Sequence, residues 1–172
     1  MYRLVAFDMD GTLTVGDGCW VKIHQHFGTL HIGDRNLSAY ERGEIDYVEF
    51  MRRDIGAWLS VKPRIHIDEI KQILSDFDLR EGAREVVGEL KRKGMEIAMI
   101  TSGIDLIAKE VAKVLGIKHV FANGLEVDSQ GYLTGEGILR VDPERKGEVL
   151  HSLCKSLSIS PKQTIAVGDS KY

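Results

Sequence analysis

Apolar positions along the chain follow two rhythms. Short unbroken runs occur at residues 3–7 (RLVAF), 96–100 (EIAMI), 118–122 (KHVFA) and 164–167 (TIAV). Runs of this length, without polar alternation, predict strands buried on both faces. Between them the spacing becomes helical. Residues 81–93 place Val86, Val87 and Leu90 on one side and end at Gly94. Residues 104–115 place Ile104, Ile107, Val111 and Leu115 on one stripe and end at Gly116. Glycine directly after the last periodic residue is a helix stop. A third helix is predicted over 143–157, with Asp142 as N-cap and Pro143 at its first position. Strands alternating with helices predict an α/β fold with a mostly parallel sheet.

Two regions break the alternation. Residues 125–140 (LEVDSQGYLTGEGILR) read as a hairpin around a Ser-Gln-Gly turn. Residues 17–76 hold no good strand. Within them Tyr47, Phe50, Met51, Ile55, Trp58 and Leu59 stand at helical spacing, as do Trp20, Ile23 and Phe27. A helical insert of about 60 residues is therefore expected after the first strand, with 77–81 (FDLRE) as the return. The expected organisation is a discontinuous α/β core of residues 1–15 and 77–172 with an inserted helical domain over 16–76.

Composition changes this picture little. The chain has 172 residues, 43% hydrophobic and 28% charged, so one folded domain with a small insert is expected rather than disorder. A net charge of −3 favours neither nucleic acid nor an anionic membrane surface. Cys19 and Cys154 lie far apart outside any CxxC, which argues against a disulfide framework or structural zinc. The first residues do not read as a signal peptide, and no apolar stretch approaches about 18 residues. A soluble protein of a reducing, cytoplasmic compartment is expected, and its oligomeric state is not legible.

The chemistry begins where the first strand ends. Asp8 and Asp10 in "FDMDGT" are two apart in an extended segment, so their side chains share a side. They sit at the carboxyl end of a strand, where open α/β sheets build their sites. Clustered carboxylates repel and need a cation, a shared proton or solvent. Mg²⁺ suits such oxygen donors. With the charge offset, one carboxylate can attack phosphorus and the other can carry a proton to and from the reacting oxygens. Thr101 and Ser102 follow a buried strand and lead through Gly103 into a helix, where hydroxyl and amide groups can bind phosphate. Lys146 lies in the first turn of its helix, against the dipole preference. "IAVGDS" repeats the opening grammar and delivers Asp169 to the same sheet edge.

Together "DMDGT", "ITSG", "RKGEVL" and "VGDS", with "HVFANGLEVDSQGYLTGE" between the second and third, resemble the haloacid dehalogenase superfamily of phosphohydrolases, and within it the phosphoserine phosphatase family. The resemblance covers nearly the whole chain. It implies a three-layer α/β/α Rossmannoid core with a parallel sheet and a small helical cap. It implies Asp8 as the nucleophile that becomes aspartyl-phosphate and Asp10 as general acid/base. Thr101, Ser102 and Lys146 would hold the phosphoryl group. Mg²⁺ would be bound by Asp8, Asp10 through its backbone carbonyl, and Asp169. In the cap, Asp17 and Arg52 would grip the amine and carboxylate of the substrate. The implied activity is Mg²⁺-dependent hydrolysis of a phosphate monoester, phosphoserine first, in a pathway of serine biosynthesis. Its partner would be a small phosphorylated metabolite.

The sequence departs from the family pattern at Asp17, usually Glu, at Thr101-Ser102-Gly103-Ile104, and at Tyr172, which stands where the family has Asn. Five residues follow the strand ending at Val167, so a shortened carboxyl end is expected. The alternatives are the same chemistry on another phosphorylated metabolite or as phosphotransfer, a receiver-like signalling domain, and a non-catalytic binding module. The receiver reading fits poorly with the long helical insert and Asp-x-Asp-Gly-Thr. Intact Asp8, Asp10, Thr101, Lys146 and Asp169 argue against the binding module.

Overall fold

The structure, a computed structural model, describes residues 1–170. The expectation placed on Tyr172 lies outside the described residues. The main sheet is built from β1 (Leu4–Phe7), β4 (Glu96–Ile104), β5 (His119–Val127), β6 (Leu133–Ile138) and β7 (Thr164–Val167), in the order β6-β5-β4-β1-β7. β1 pairs in parallel with both β4 and β7, and β4 in parallel with β5. Only β6 runs antiparallel.

Every residue of β1 is buried, because the strand is covered on both faces. Its alternate residues separate two apolar clusters. Leu4 and Ala6 join Ala98, Ile100, Leu153 and Cys154 on the face under α7 (Lys146–Ser156). Val5 and Phe7 join Ile97 and Met99 on the opposite face, with Val87 of α5 (Ala83–Arg92) and Val111 of α6 (Asp105–Leu115). This is the three-layer α/β/α core that the resemblance implies, around the mostly parallel sheet that the runs and periods predict. The helix expected over 143–157 begins as a short 3₁₀ turn at Pro143–Arg145, capped by the Asp142 carboxylate on the Glu144 amide at 2.9 Å. The expected strand at 118–122 and the first arm of the expected hairpin form one long strand, β5. Gly131, at φ +85°, makes the turn into β6.

The insert leaves and returns through two adjacent strands of two residues each. β2 (Thr14–Val15) pairs antiparallel with β3 (Asp78–Leu79). Between them run α1 (Cys19–Phe27), α2 (Leu30–Glu41), α3 (Tyr47–Val61) and α4 (Ile67–Leu74). Asp46 caps α3 by accepting from the Glu49 amide at 2.8 Å. Ile23, Phe27, Ile55, Trp58, Ile70 and Leu74 of these helices share one apolar cluster with the upper face of the sheet. The loop between α3 and α4 is also stitched to the β5–β6 hairpin: Ile67 N donates to Gly131 O at 2.9 Å, and Leu133 N to Ile65 O at 3.0 Å. Among the described residues no helix is long and apolar enough to cross a membrane.

Helices α1 and α2 meet through a side chain and a bare backbone. The buried His24 ring lies against Gly33, where an added Cβ would stand 2.7 Å from the ring. Gly56 of α3 faces open space. The two glycines should therefore respond oppositely. Gly33→Val is expected to lower unfolding free energy by about 1–3 kcal/mol through overpacking. Gly56→Ala is expected to raise it by up to about 1 kcal/mol through helix propensity. Urea melts of both variants check this; an unchanged midpoint for Gly33→Val would contradict the close approach.

Candidate active site

The site is assembled at the carboxyl ends of β4, β1 and β7. Asp8 directly follows β1, and its amide donates to Val167 O at 2.9 Å, which extends the β1–β7 register by one step. The chain then turns around the Met9 carbonyl, which accepts from the amides of Thr12, Leu13 and Thr14 at 2.9–3.1 Å. Met9 is fully buried, and Asp8 and Asp10 on either side of it both face one cavity. Gly11 serves two purposes there. It holds φ +75°, and a Cβ at its position would lie 2.2 Å from Asp169 Oδ2. The Asp169 side chain thus occupies the space that any residue larger than glycine would fill.

The Asp8 carboxylate is held at both oxygens. Oδ1 accepts from the Met9 amide and Oδ2 from Lys146 Nζ, each at 2.7 Å. Lys146 is the first residue of α7, so the Asp8 charge explains a cation at the positive end of a helix. Asp10 points the other way, toward Gly18 and Gly103, and Oδ2 accepts from the Cys19 amide at 3.3 Å. Burial pushes the Asp10 carboxyl above the usual range, and the neighbouring Asp8 charge adds to this. Its hydrogen bonds with Cys19 oppose the shift. Burial, with Asp10 beside it, also pushes the Cys19 thiol well up.

The segment Thr101–Ile104 differs from expectation. It continues β4, and α6 starts at Asp105, after the residues read as the helix start. Two of its amides are used internally: Gly103 N donates to Thr101 Oγ1 at 3.0 Å, and Ile104 N to Cys19 Sγ at 3.3 Å. Thr101 is buried behind the cavity wall, and Ser102 lines it. The Ser102 carbonyl gathers three donors: Tyr47 Oη at 3.0 Å, Asn123 Nδ2 at 3.0 Å and, more distantly, Trp20 Nε1 at 3.5 Å.

Asp8, Asp10, Ser102, Lys146 and Asp169 are brought together around a cavity of about 320 Å³; Asp17 and Arg52 are not among its lining residues. Asp17 is exposed and accepts from Gln25 Nε2 at 2.8 Å. Arg52 lies beside the buried face of α3, and its guanidinium is taken by Glu136 of β6 at 3.0–3.1 Å and Glu49 at 3.3 Å. The expected substrate grip by these two residues has no counterpart in this geometry, because each is committed to a surface partner. The walls contributed by the insert are Trp20, Tyr40, Tyr47, Phe50 and Asp54, with Leu30, Asp34 and Leu37 of α2 at its exposed side. Trp20, Tyr47 and Phe50 carry a helical spacing that predicts burial and says nothing of a cavity. Asp54 is an acid among the buried apolar residues of α3, and an acid at such a position is a signal readable in sequence.

A family model described as haloacid dehalogenase-like hydrolase matches residues 2–172. The phosphoserine phosphatase of Wolinella succinogenes is 30% identical over 168 residues, 97% of this chain and 79% of that protein. A solved substrate-bound phosphoserine phosphatase superposes with a TM-score of 0.82 at 26% identity, over 99% of this chain and 79% of that one. A phospho-aspartyl intermediate analogue of phosphoserine phosphatase superposes at 0.81, also at 26% identity, over 98% and 78%. With its acid pair, lysine and third acid at one sheet edge, the chain belongs to the haloacid dehalogenase-like hydrolase family, as a phosphoserine phosphatase-like phosphoric monoester hydrolase.

Proposed function

We propose that the chain hydrolyses a small phosphate monoester through an aspartyl-phosphate on Asp8, with Mg²⁺ as cofactor. The observation that carries this reading is the 2.7 Å contact between Lys146 Nζ and Asp8 Oδ2, with Asp10 and Asp169 on the same cavity. The substrate named for the relatives makes phosphoserine the reference compound. We further propose that residues 16–76 act as a cap over a core of 1–15 and 77–172, since the cavity takes its walls from both.

The Asp8 carboxylate attacks phosphorus, and the bond between phosphorus and the ester oxygen breaks. Asp10 gives its proton to the departing alkoxide; burial favours the proton-carrying form that this step needs. Water then attacks the phosphorus of the acyl phosphate, Asp10 takes its proton, and Asp8 and inorganic phosphate are released. Lys146 offsets charge on Asp8 and on the phosphoryl oxygens, and Ser102 lies at the phosphoryl end of the cavity. Thr101 supports the reading indirectly, through its hydroxyl on the Gly103 amide.

The donors present suit a hard cation. Asp8, Asp169 and the Asp10 backbone carbonyl are all oxygen donors. The pairing of Phe7 with Val167 brings the first two to neighbouring strand ends. Among the described residues no three acidic, histidine or cysteine side chains form a group that could hold a metal ion, so Asp8 and Asp169 would need the Asp10 backbone carbonyl and water to complete a Mg²⁺ site. When bound, the cation supplies charge neutralisation for the phosphoryl oxygens.

Asp8→Asn is expected to reduce phosphate release by about a thousandfold or more. EDTA is expected to abolish release from the wild type, and added Mg²⁺ to restore it. Equal turnover by Asp8→Asn and wild type would sink the nucleophile assignment. Asp10→Asn is expected to lower kcat/KM, which reports the steps through alcohol release and not the later attack of water, by about 10²-fold or more for alkyl phosphates and far less for p-nitrophenyl phosphate, because nitrophenolate leaves without a proton. Equal losses on both would remove Asp10 from the acid role. Because burial raises the Asp10 carboxyl, its acid form persists to higher pH than the usual range of about 3.5–4. The fall in alkyl ester turnover through loss of that proton is expected above this range, with p-nitrophenyl phosphate lacking the dependence.

A further inference from the structure

Tyr47 is a tyrosine where the ring alone would fill the space. That ring stacks on Phe50 with centroids 5.1 Å apart and meets Tyr40 edge to face at 5.3 Å. These contacts, with Met51 and Ile45 alongside, need no hydroxyl. A buried phenol must nevertheless place its O–H on an acceptor, and Tyr47 is 5% exposed. The acceptor lies outside the insert. Tyr47 is the first residue of α3, and its hydroxyl donates to the Ser102 carbonyl near the end of β4 at 3.0 Å. Burial pushes this phenol well above the ordinary range, so it keeps its proton and remains a donor.

The peptide that receives this bond is one that needs holding. Ser102 is followed by Gly103, whose backbone turns more freely than that of a residue with a side chain. Both polar atoms of the Ser102–Gly103 peptide are tied. Its N–H donates to Thr101 Oγ1 at 3.0 Å. Its carbonyl accepts from Asn123 Nδ2 at 3.0 Å on the core side and from Tyr47 Oη at 3.0 Å on the insert side. Trp20 Nε1 stands further off, at 3.5 Å.

The ties from Thr101 and Asn123 lie within the core and do not depend on the insert. The tie from Tyr47 does. Ser102 itself lines the cavity, so the angle of its peptide sets how its side chain enters that space. Resting on the phosphatase reading above, we propose that Tyr47 is a positioning residue: its hydroxyl, through the Ser102 carbonyl, fixes the direction in which the Ser102 side chain meets the phosphoryl group under the insert. A donor aimed in advance needs no reorganisation when charge develops on the phosphoryl oxygens.

The test uses the full chain with Mg²⁺ and p-nitrophenyl phosphate, with inorganic phosphate as the competing inhibitor. Tyr47→Phe keeps the ring and removes the hydroxyl. Ser102→Ala removes the group being aimed, and a third variant carries both changes. Each single change should raise the inhibition constant of phosphate and lower kcat/KM by about three- to tenfold, the range of one hydrogen bond. The double variant should be no worse than Ser102→Ala alone, because residues that act as a unit do not add. The inhibition constant does not depend on how much of a variant is folded, so partial misfolding leaves it readable. If the two effects multiply in the double variant, Tyr47 acts on something other than Ser102, and the positioning role falls while the phosphatase reading stands. An unchanged inhibition constant in Tyr47→Phe, even with a lower urea midpoint, makes the bond structural only and overturns the role. So does an unchanged constant in Ser102→Ala, which leaves nothing to aim. If the wild type releases phosphate from neither p-nitrophenyl phosphate nor phosphoserine, the phosphatase reading fails and takes this proposal with it.

Discussion

The ion pair between Asp8 and Lys146 is the contact around which the site is organised. A carboxylate fixed at the end of a fully buried strand cannot move away from its acidic neighbours, Asp10 and Asp169. It is tolerated there because a single lysine, 138 residues further on, is delivered to 2.7 Å. That delivery needs the capped turn at Asp142 and the packing of α7 under β1 and β4. The apolar face beneath the sheet is thus what sets the electrostatics at its end.

The helical insert is tied to the same centre by a second junction. Trp20 and Tyr47, from two different helices, both send their donors to the Ser102 carbonyl. Asn123, fully buried, adds a third bond to that oxygen and uses its own carbonyl for the amides of Arg140 and Val141. Cavity wall, the carboxyl end of β4 and the strap leading to Lys146 therefore share one polar knot. Burial makes each of its members expensive to leave unpaired.

The sheet and the acid pair were legible because their signals are local. An unbroken apolar run, a helix stop at Gly94 or Gly116 and an acid pair after a strand are each readable within a dozen residues. The insert was less so. α2 buries Gly33, Asn36 and Ala39, a face with too little apolar area to stand out. The direction of Arg52 depends on Glu136 in a distant strand, and the setting of Asp54 on Asn36 and His24 from two other helices. At Thr101–Ile104 the polar residues suggested a helix start, but pairing of Ile104 with Asn123 keeps the segment in the sheet. The aromatic stripe of α3 looks the same in sequence whether it fills a core or walls a cavity.

The pairing of β1 has a kinetic consequence. Leu4 lies beside Glu96 on one edge and Thr164 on the other. During synthesis the strand that carries Asp8 must wait for more than half the chain before its first partner exists, and for nearly all the described residues before its second. Contacts this distant in sequence slow folding and leave apolar strand edges unpaired meanwhile. The insert, whose helices pack on near neighbours, can acquire structure earlier. The order of assembly therefore runs opposite to the order of these elements: β1 is translated before the insert and is enclosed after it.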